Sequence, residues 1–438
     1  MSKGLRLVAT GDSVFNMHIS SCKEEEFLSL IKLIREADVR FTNFEIVICD
    51  YNEGYPAAEY GIPYQVTDPS IADELKWMGF NLVSRANNHT VDWSYEGIFS
   101  SSQVLDERGI VHAGVGRNLG EARGPAYLET EKGRVALISS ASSFPSFGRA
   151  GEARHDVKGR PGLNPLRFQT EIRVTKESLA QLKSIIESVG AKTAIGPIKE
   201  KSIEYGRGLT AVKFVESDKP ALFTIPYEPD LQGNVQSIKD ARRMADLVLV
   251  THHGHEDNGY DRYVPAKFIE TYARACIDAG ADAFLGHGPH IIRGIEIYKG
   301  KPILYSMGNI IFQYDTTKKQ GQEWYDRYNL GIDATPADAY DAFDTQAREK
   351  TWTGWAGFPA EPPFWDTYVA DMTFDTGKLV ELKLHPATTG YGLPRTRRGS
   401  PRRASPKDAA RIIEHISKYS APYGTEIEFK EGIGIVHL

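Results

Sequence analysis

The stretch "GADAFLGHGPHIIRG", residues 280–294, places two histidines directly after a strand-like apolar run. The run ends at Leu285, and His287 and His290 follow it, three positions apart and flanked by glycines. Glycine has no Cβ, so backbone segments can approach one another closely at such positions. We therefore expect this loop to direct both imidazoles toward a common centre at the end of a buried strand.

The segments around this stretch alternate between strand-like and helix-like patterns. Apolar runs such as "LRLVAT" (5–10) and "GRVALISS" (133–140) are typical of buried strands. The segment "EEEFLSLIKLIRE" (24–36) carries apolar residues at the 3.6-residue spacing of a helix. Strands that alternate with helices predict an α/β fold with substantial parallel pairing.

Two segments interrupt this alternation, at about 144–225 and 313–365. The first is polar and rich in glycine and proline at its start, and it contains one clear helical pattern, "TKESLAQLKSIIESVG" (175–190). The second carries four of the six tryptophans of the chain, Trp324, Trp352, Trp355 and Trp365. A mobile or partner-facing lid and a cover over the edge of the core both fit the second segment. We predict one domain, residues 1–438, with two inserted lids.

The composition is that of a globular protein with enough apolar material for a large core. Of 438 residues, 41% are hydrophobic and 25% charged, and the formal net charge is -6, which gives no reason to expect nucleic acid or an anionic membrane as a partner. The three cysteines lie in apolar segments, where small core residues are the simplest interpretation. The first residues lead directly into a strand, and no run of about eighteen apolar residues occurs. We therefore expect a cytoplasmic protein.

Five groups of chemically reactive side chains follow predicted strands. Parallel strands place their carboxyl ends at one edge of a sheet, where open α/β sheets keep their ligand sites. Taken singly, each group has an ordinary explanation, such as a helix cap for an aspartate after a glycine turn. Together they offer the imidazole, carboxylate and amide ligands that suit a divalent first-row metal. The residues are Asp12, Glu45, Asn88 with His89, His252 with His253 and His255, and His287 with His290.

The order of these blocks, "GD…NFE…ANNH…HHGHE…GHGPH…YSMGN", resembles the CapA-type family of the calcineurin-like metallophosphoesterase superfamily, which is associated with poly-γ-glutamate capsules. The resemblance runs from about residue 5 to 312 and resumes in "RRGSPRRA" (397–404). It implies a layered αββα metallophosphoesterase-like sandwich with mixed sheets and inserted lid segments. It also implies one or two divalent ions per chain, with Mn, Zn, Fe or Ca as the expected metals.

The resemblance also implies roles for single residues. Asp12 stands at the position of the first metal-binding aspartate of the superfamily, and Glu45 at that of its bridging carboxylate. Asn88 takes the place of a ligand of the second metal, with His89 beside it as general acid or charge stabiliser. His253 or His252 matches the fourth block, and His287 and His290 match the closing block. Adjacent side chains of a strand point to opposite faces, so only one of His252 and His253 is expected to face the site.

Two departures from the superfamily pattern concern the first metal position. The superfamily follows its first aspartate with Asp-x-His, whereas this chain continues with Ser13 and Val14. One ligand is therefore missing unless His18 or a water molecule supplies it. The closing histidines are also spaced one residue further apart than in the superfamily pattern. Asp92, close after His89, fits a carboxylate that orients an imidazole, and an ordinary solvent-facing charge fits it equally.

Three functions follow from these expectations. The first is metal-dependent hydrolysis of an anionic phosphoester or peptide-like substrate through metal-activated water, with His89 protonating the leaving group. The second is peptide epimerisation, for which His255 and Asp257 offer bases beyond those needed for a metal. The third is a non-catalytic role in handling a capsule polymer.

An arginine-rich loop is the predicted contact for the substrate's anionic group. The loop "GLPRTRRGSPRRASP" (392–406) contains Arg397 and Arg398, and arginine binds carboxylates and phosphates in bidentate geometry. A solvated basic loop is the alternative interpretation. The expected partner is therefore a small molecule or peptide that carries an anionic group, without nucleic acid and without a membrane.

Overall fold

The computed structural model describes residues 4–58, 62–190, 195–206, 211–349 and 356–438. Trp352 and Trp355 of the second inserted segment therefore lie outside the described residues. The helices, in chain order, are α1 (Glu25–Arg35), α2 (Ile71–Met78), α3 (Ser94–Glu107), α4 (Leu119–Arg123), α5 (Lys176–Ser188), α6 (Glu228–Arg242), α7 (Lys267–Ala279), α8 (Gln322–Asp326), α9 (Pro336–Ala347) and α10 (Pro406–Ser420).

The strands, in chain order, are β1 (Leu5–Val14), β2 (Val39–Phe44), β3 (Val47–Ile48), β4 (Val66–Thr67), β5 (Leu82–Ser84), β6 (Val111–Ala113), β7 (Val115–Gly116), β8 (Ala126–Thr130), β9 (Gly133–Ala141), β10 (Gly162–Leu163), β11 (Phe168–Val174), β12 (Ile195–Lys199), β13 (Ser202–Tyr205), β14 (Val212–Glu216), β15 (Ala221–Pro226), β16 (Leu247–His253), β17 (Ala283–His287), β18 (Ile295–Tyr298), β19 (Lys301–Leu304), β20 (Asn309–Phe312), β21 (Asp366–Asp375), β22 (Lys378–Thr388), β23 (Arg402–Arg403), β24 (Ile427–Lys430) and β25 (Ile433–Val436).

Two large sheets form the body of the protein. In the described part of the chain, the larger sheet has the order β24-β25-β22-β21-β1-β2-β5-β6, with β20 on β1 and β23 on β22. Its strands β1, β2, β5 and β6 are parallel, and β21 runs antiparallel to β1. The second sheet has the order β18-β19-β17-β16-β9-β8, with β9, β16, β17 and β19 parallel. Both sheets are mixed, as the sequence predicts.

The main hydrophobic core lies between these two sheets. Leu7 and Phe41 of the larger sheet belong to the same buried cluster as Leu137, Leu249 and Leu285 of the second. Each large apolar side chain removed from water in this way contributes roughly 2 kcal/mol. Along β1, β9 and β16, successive side chains therefore alternate between two apolar environments. One set faces the core between the sheets, and the other faces the helices outside.

Helices cover the outer face of each sheet. Apolar residues of α1, α2 and α3 pack with Val8 and Val83 on the larger sheet. Those of α6 and α7 pack with Ile138 and Val250 on the second. The layers are therefore helix, sheet, sheet and helix, which confirms the expected αββα sandwich.

The inserted segments contain structure of their own. Within 144–225, and among the described residues, β12-β13-β14-β11-β15 form a separate sheet against which α5 packs through Leu179 and Ile186. The helical pattern at 175–190 is therefore confirmed, whereas the sheet beside it was not expected from the sequence. The second segment contains α8 and α9, and its Trp324 and Trp365 are buried. Of the two interpretations of this segment, the burial of these tryptophans agrees with a cover over the edge of the core.

Candidate metal centre and adjoining cavity

The predicted site residues lie where strands of both sheets end. Asp12 lies near the end of β1, Glu45 directly after β2, and His89 in the loop after β5. His253 and His287 are the last residues of β16 and β17, and they are neighbours in the ladder that joins these strands. The parallel pairing of these strands therefore brings residues that are far apart in sequence to one edge of the sandwich.

The glycines of the opening stretch have specific structural roles. Gly280 ends α7 in a left-handed conformation, with φ of 116°, and turns the chain into β17. At Gly286, a Cβ would lie 2.3 Å from the carbonyl oxygen of Tyr305. Gly288 has φ +116°, and a Cβ there would lie 2.8 Å from the backbone nitrogen of Gly254. Larger residues at these positions would displace the loop that carries the two histidines.

Asp12 is fully buried and held in place by two amide groups. The Nδ2 of Asn43 donates to Oδ1 at 2.8 Å, and the backbone N–H of Gly288 donates to Oδ2 at 3.0 Å. The Nδ1 atoms of His287 and His290 each lie 3.5 Å from an Asp12 oxygen. Asp12 therefore contacts both histidines of the closing block.

The hydrogen bonds of His287 determine which ring nitrogen carries its proton. Thr251 donates its hydroxyl to the carbonyl of Leu285 at 2.9 Å, so Oγ1 accepts from Nε2 of His287 at 2.6 Å. This leaves Nδ1 of His287 with a lone pair directed at the site. That atom lies 3.1 Å from Nδ1 of His253.

His290 is oriented by an asparagine. Nδ2 of Asn309 donates to the carbonyls of His290 and Phe364, so its Oδ1 accepts from Nδ1 of His290 at 2.7 Å. The lone pair of His290 is therefore on Nε2, which lies 3.6 Å from Oε1 of Glu45. His290 holds this orientation with a positive φ of 58°.

His253 occupies the middle of the cluster. Its Nε2 lies 3.6 Å from Oε1 of Glu45 and 3.1 Å from Nε2 of His255. His255 is at the rim, where its side chain is exposed. The fourth block therefore supplies His253 from the end of β16 and His255 from the loop that follows.

His252 and His18 lie outside this cluster. His252 faces the helices, with Nδ1 3.0 Å from Oγ of Ser140 and its ring against Tyr272. Of the two adjacent histidines that the sequence left open, His253 is therefore the one that faces the site, and the assignment of His252 as a metal ligand does not agree with its position. His18 pairs with Glu74 at 3.0 Å, so it does not supply the missing ligand.

The clustered side chains fit a divalent cation. Three overlapping groups have potential ligand atoms within 4.8 Å of one another, namely Asp12 with His253 and His287, Glu45 with His253 and His255, and Asp12 with Glu45 and His290. Among the described residues, both oxygens of Glu45 are buried without a hydrogen-bond partner. Lone pairs of His287 and His290 face carboxylate oxygens, an arrangement that a cation between them would stabilise.

The protonation states of these groups depend on their burial. Burial raises the pKa of Asp12 to about 7, against the lowering effect of Asn43 and Gly288. Burial and the neighbouring Asp12 raise the pKa of Glu45 well above its usual value. Burial lowers the pKa of His253 and of His287 well below the usual histidine value. Both imidazoles are therefore neutral at pH 7, the form that binds metal ions.

His89 and Asp92 form a buried pair beside the cluster. Nδ1 of His89 donates to Oδ2 of Asp92 at 2.6 Å, and the backbone N–H of Gln65 donates to the same oxygen at 2.7 Å. Burial raises the pKa of Asp92, although the neighbouring His89 opposes the shift. Asp92 therefore holds the His89 ring, and its side chain is inaccessible to solvent, so of the two interpretations left open by the sequence the orienting carboxylate agrees with its position.

A cavity of about 340 Å³ opens onto these residues. It is lined by Asn88, His89, His255 and His290 and by an aromatic wall of Phe312, Phe343, Phe358 and Phe364, and the ring of His290 lies 4.8 Å from that of Phe358. Arg293, the second last residue of the opening stretch, also borders this cavity. The sequence analysis missed Arg293, for which the available signal was a single charge inside the apolar run "HIIRGIEI" (290–297).

Arg397 and Arg398 lie elsewhere. Arg398 is paired with Asp315 and with Asp344, the latter at 2.9 Å, and Arg397 lies 3.4 Å from Glu24 with most of its side chain exposed. Neither arginine is among the residues that line the cavity. The structure therefore does not bring the two predicted substrate-binding arginines to the cluster, because each is engaged by carboxylates of neighbouring segments.

The sandwich and its cluster of buried carboxylates and imidazoles define a layered protein of the metallophosphoesterase-like class. Within that class, the chain belongs to the family described as bacterial capsule synthesis protein PGA_cap, whose model matches residues 6–314. The family expected from the sequence motifs is therefore confirmed.

Curated relatives agree with this membership. An uncharacterised protein of Sinorhizobium fredii is 36% identical over 99% of this chain and 93% of its own length. The capsule biosynthesis protein CapA of Bacillus anthracis is 22% identical over 72% of this chain and 61% of its own length. A probable polyglutamine synthesis accessory protein of Mycobacterium tuberculosis is 26% identical over 52% of this chain and 44% of its own length.

The sequence contains no apolar run long enough for a transmembrane helix, and the helices of the structure can be compared with this expectation. Within the described ranges, no helix combines the length and apolar character needed to cross a bilayer.

Proposed function

We propose that the protein is a metal-dependent hydrolase that acts on an anionic phosphoester or peptide-like substrate. One observation carries this proposal: His255 and His290, which belong to the potential ligand groups, line the same cavity as His89, which is held by Asp92. A binding protein needs no acid–base pair held in this way beside a cation site.

Asp12, Glu45, His253, His287 and His290 would hold one or two divalent ions, with Asn88 and His255 at the cavity side of the cluster. A bound ion would polarise the scissile bond and lower the pKa of a water molecule. The chain itself fixes the ligand geometry through Asn43, Gly288, Thr251 and Asn309. Such supporting hydrogen bonds orient ligands and strengthen metal binding.

His89 would move the proton during hydrolysis. Its Nδ1–H is held by Asp92, so the ring presents Nε2 to a bound substrate in a fixed orientation. A protonated His89 would give its Nε2 proton to the leaving group, while the buried Asp92 carboxylate stabilises the imidazolium. The aromatic wall would exclude bulk water from the reacting bond.

Peptide epimerisation is the second candidate. His89 and His255 border the same cavity, and an epimerase needs two acid–base groups that reach one Cα. A role in handling a capsule polymer is the third, and the names of the Bacillus and Mycobacterium relatives favour it.

An activity panel separates these functions. The purified protein would be assayed with p-nitrophenyl phosphate, bis(p-nitrophenyl) phosphate and amino-acid p-nitroanilides, with Mn, Zn, Fe or Ca supplied. We expect hydrolysis of at least one substrate. His89→Gln should lower the rate with a p-nitroanilide, whose leaving amine needs a proton, by about 100-fold or more without loss of bound metal, and should have a smaller effect with the p-nitrophenyl phosphoesters, whose phenolate leaves without one. His155→Gln, in an exposed loop position, is the matched control.

Two results would contradict hydrolysis. Deuterium uptake at Cα of a peptide in D2O, without cleavage of any substrate, would favour epimerisation. Full metal occupancy without any turnover would favour polymer handling.

A further inference from the structure

Arg293 is the least accessible arginine near the cluster. Its side chain is 1% exposed, although it borders the cavity. Nε donates to the carbonyl of Arg262 at 3.0 Å, and Nη2 donates to the carbonyl of His255 at 3.1 Å. These two bonds fix the guanidinium directly behind the loop that carries His255.

No ion pair joins a carboxylate of the described residues directly to Arg293, and Asp257, Glu256 and Asp261 favour its charge only from a greater distance. Within the described ranges, its Nη1 is buried without a hydrogen-bond partner, and both of its hydrogen bonds go to uncharged carbonyls. Arg262, which also borders the cavity, is paired with Glu361 at 2.5 Å. Burial lowers the pKa of Arg293 only to about 10, so the side chain stays positively charged at pH 7.

A buried cation with an unused donor is costly unless an anion binds to it. The desolvation of a charge in a protein interior amounts to several kcal/mol, which an anion in the same environment offsets. Arginine suits this purpose because its guanidinium is planar and always charged at neutral pH. The low polarity of the surrounding cavity strengthens such a pair.

The rest of the cavity accepts an apolar group. The aromatic side chains of Phe343, Phe358 and Phe364 line the same cavity as Ile291 and Arg293. The rings of Phe358 and Phe364 lie 5.4 Å apart in an edge-to-face arrangement. A chain of free carboxylates, such as polyglutamate, would lose hydration against this wall without finding enough donors.

We propose that Arg293 binds a carboxylate of the substrate and that the aromatic wall binds an adjacent aromatic or large aliphatic group. The proposal rests on the proposed function, since it names the substrate class of the same site. It makes Arg293, rather than Arg397 or Arg398, the residue that selects for a negative charge.

Binding of small probes tests this without any turnover. The probes are 3-phenylpropanoate, its neutral amide, acetate and phenyl phosphate, each titrated calorimetrically into the full chain as purified and after dialysis against EDTA. We expect the EDTA-treated protein to bind 3-phenylpropanoate at least 10-fold more tightly than the amide and than acetate. Arg293→Met should abolish the preference over the amide.

Matched variants keep this test independent of folding. Arg397→Met removes the same charge at an exposed position and should leave the preference unchanged. Arg293→Lys keeps the positive charge but lacks the planar guanidinium, and it should lower the preference for 3-phenylpropanoate over the amide at least 3-fold. This variant replaces Arg293→Met if Arg293→Met is unfolded. Phe358→Ala should weaken binding of 3-phenylpropanoate and of its amide and leave the ratio of these two affinities unchanged.

Four results would overturn the proposal. These are equal affinity for the acid and the amide, an unchanged preference in the Arg293 variants, acetate binding as tight as that of 3-phenylpropanoate, and a clear preference for phenyl phosphate over the carboxylate. Because EDTA removes the metal and no catalysis is measured, failure of hydrolysis in the activity panel would leave this readout unaffected.

Discussion

His252 and His253 are adjacent in sequence and face opposite sides of the same strand. Nε2 of His253 lies 3.6 Å from Glu45 in the cluster, whereas Nδ1 of His252 lies 3.0 Å from Ser140 among the residues that pack under α7. Both side chains are buried. His253 is therefore a potential metal ligand and His252 a packing residue, although both are buried.

Alanine variants of these two histidines should have different effects. His253→Ala should reduce bound metal at least 10-fold, because His253 belongs to two of the three ligand groups. His252→Ala should retain the metal and lower the free energy of unfolding by about 2 kcal/mol through lost packing and hydrogen bonds. Metal analysis and urea unfolding of both variants measure the two effects. Equal metal loss in the two variants would contradict the assignment of His253.

Asp92→Asn tests the support of His89. The amide keeps the shape of the side chain but cannot stabilise a positively charged imidazole as a carboxylate does. We expect kcat to fall about 100-fold or more, with KM and bound metal unchanged. Steady-state kinetics with the best substrate of the activity panel measures this, and Asp218→Asn, at an exposed position that does not line the cavity, is the control. An unchanged kcat would show that Asp92 has a structural role only and does not assist His89 in catalysis.

Arg397→Met and Arg398→Met should differ in stability. Arg398 pairs with Asp315, whose side chain is 1% exposed, so its loss leaves a buried carboxylate with fewer partners. We expect a loss of about 3 kcal/mol for Arg398→Met and no more than about 0.5 kcal/mol for Arg397→Met. Urea unfolding measures both. A steep rise of KM in either variant, with unchanged stability, would restore the arginine loop as the anion site.

The ion pair of Asp371 with Arg6 should make stability depend on pH. Two hydrogen bonds of 2.8 Å join them. Burial alone would raise the pKa of Asp371, but His385 and Arg6 outweigh it and lower the pKa to about 2. The unfolded chain therefore binds this proton more readily than the native protein does, so the stabilisation is complete above about pH 4 and is lost as the pH falls toward 2.

Asp371→Asn removes this contribution. We expect the variant to lose about 2 kcal/mol at pH 7, and the difference from the unchanged protein to shrink between pH 4 and pH 2. Urea unfolding at several pH values measures the difference. Asp375→Asn, at an exposed position of the same strand, should show neither effect. A difference that stays constant down to pH 2 would contradict the assigned pKa.

Local patterns in the sequence predict the sandwich and the edge at which the site lies. Apolar runs, helical spacing and the glycines of 280–294 act over a few residues, so they are visible without a structure. Alternation along β16 also predicts that only one of His252 and His253 faces the site. Choosing His253 required the position of the helices, because burial alone does not distinguish the two.

Other features depend on contacts between distant segments. The separate sheet that contains β11 and β15 was missed because its strands are short and half exposed, without a clear alternation. Arg293 was missed because an arginine in an apolar run does not show which distant segments surround its side chain, nor that it borders a cavity. Arg397 and Arg398 were chosen for their local charge density, whereas Glu24 and Asp315, far away in sequence, determine what they bind.

The proposed metal centre is tested by the metal content of the purified protein, measured by mass spectrometry beside that of His287→Ala. Nδ1 of His287 has a lone pair directed at the cluster, so the variant removes a potential ligand. Because the ring is buried and hydrogen-bonded to Thr251, the variant should also lower the free energy of unfolding by about 2 kcal/mol, as expected for His252→Ala, which keeps the metal. We predict one or two equivalents of a transition metal in the unchanged protein and at least a 10-fold loss in His287→Ala, with His155→Ala unaffected. Absence of a transition metal from the unchanged protein, or equal content in His287→Ala, would contradict the account.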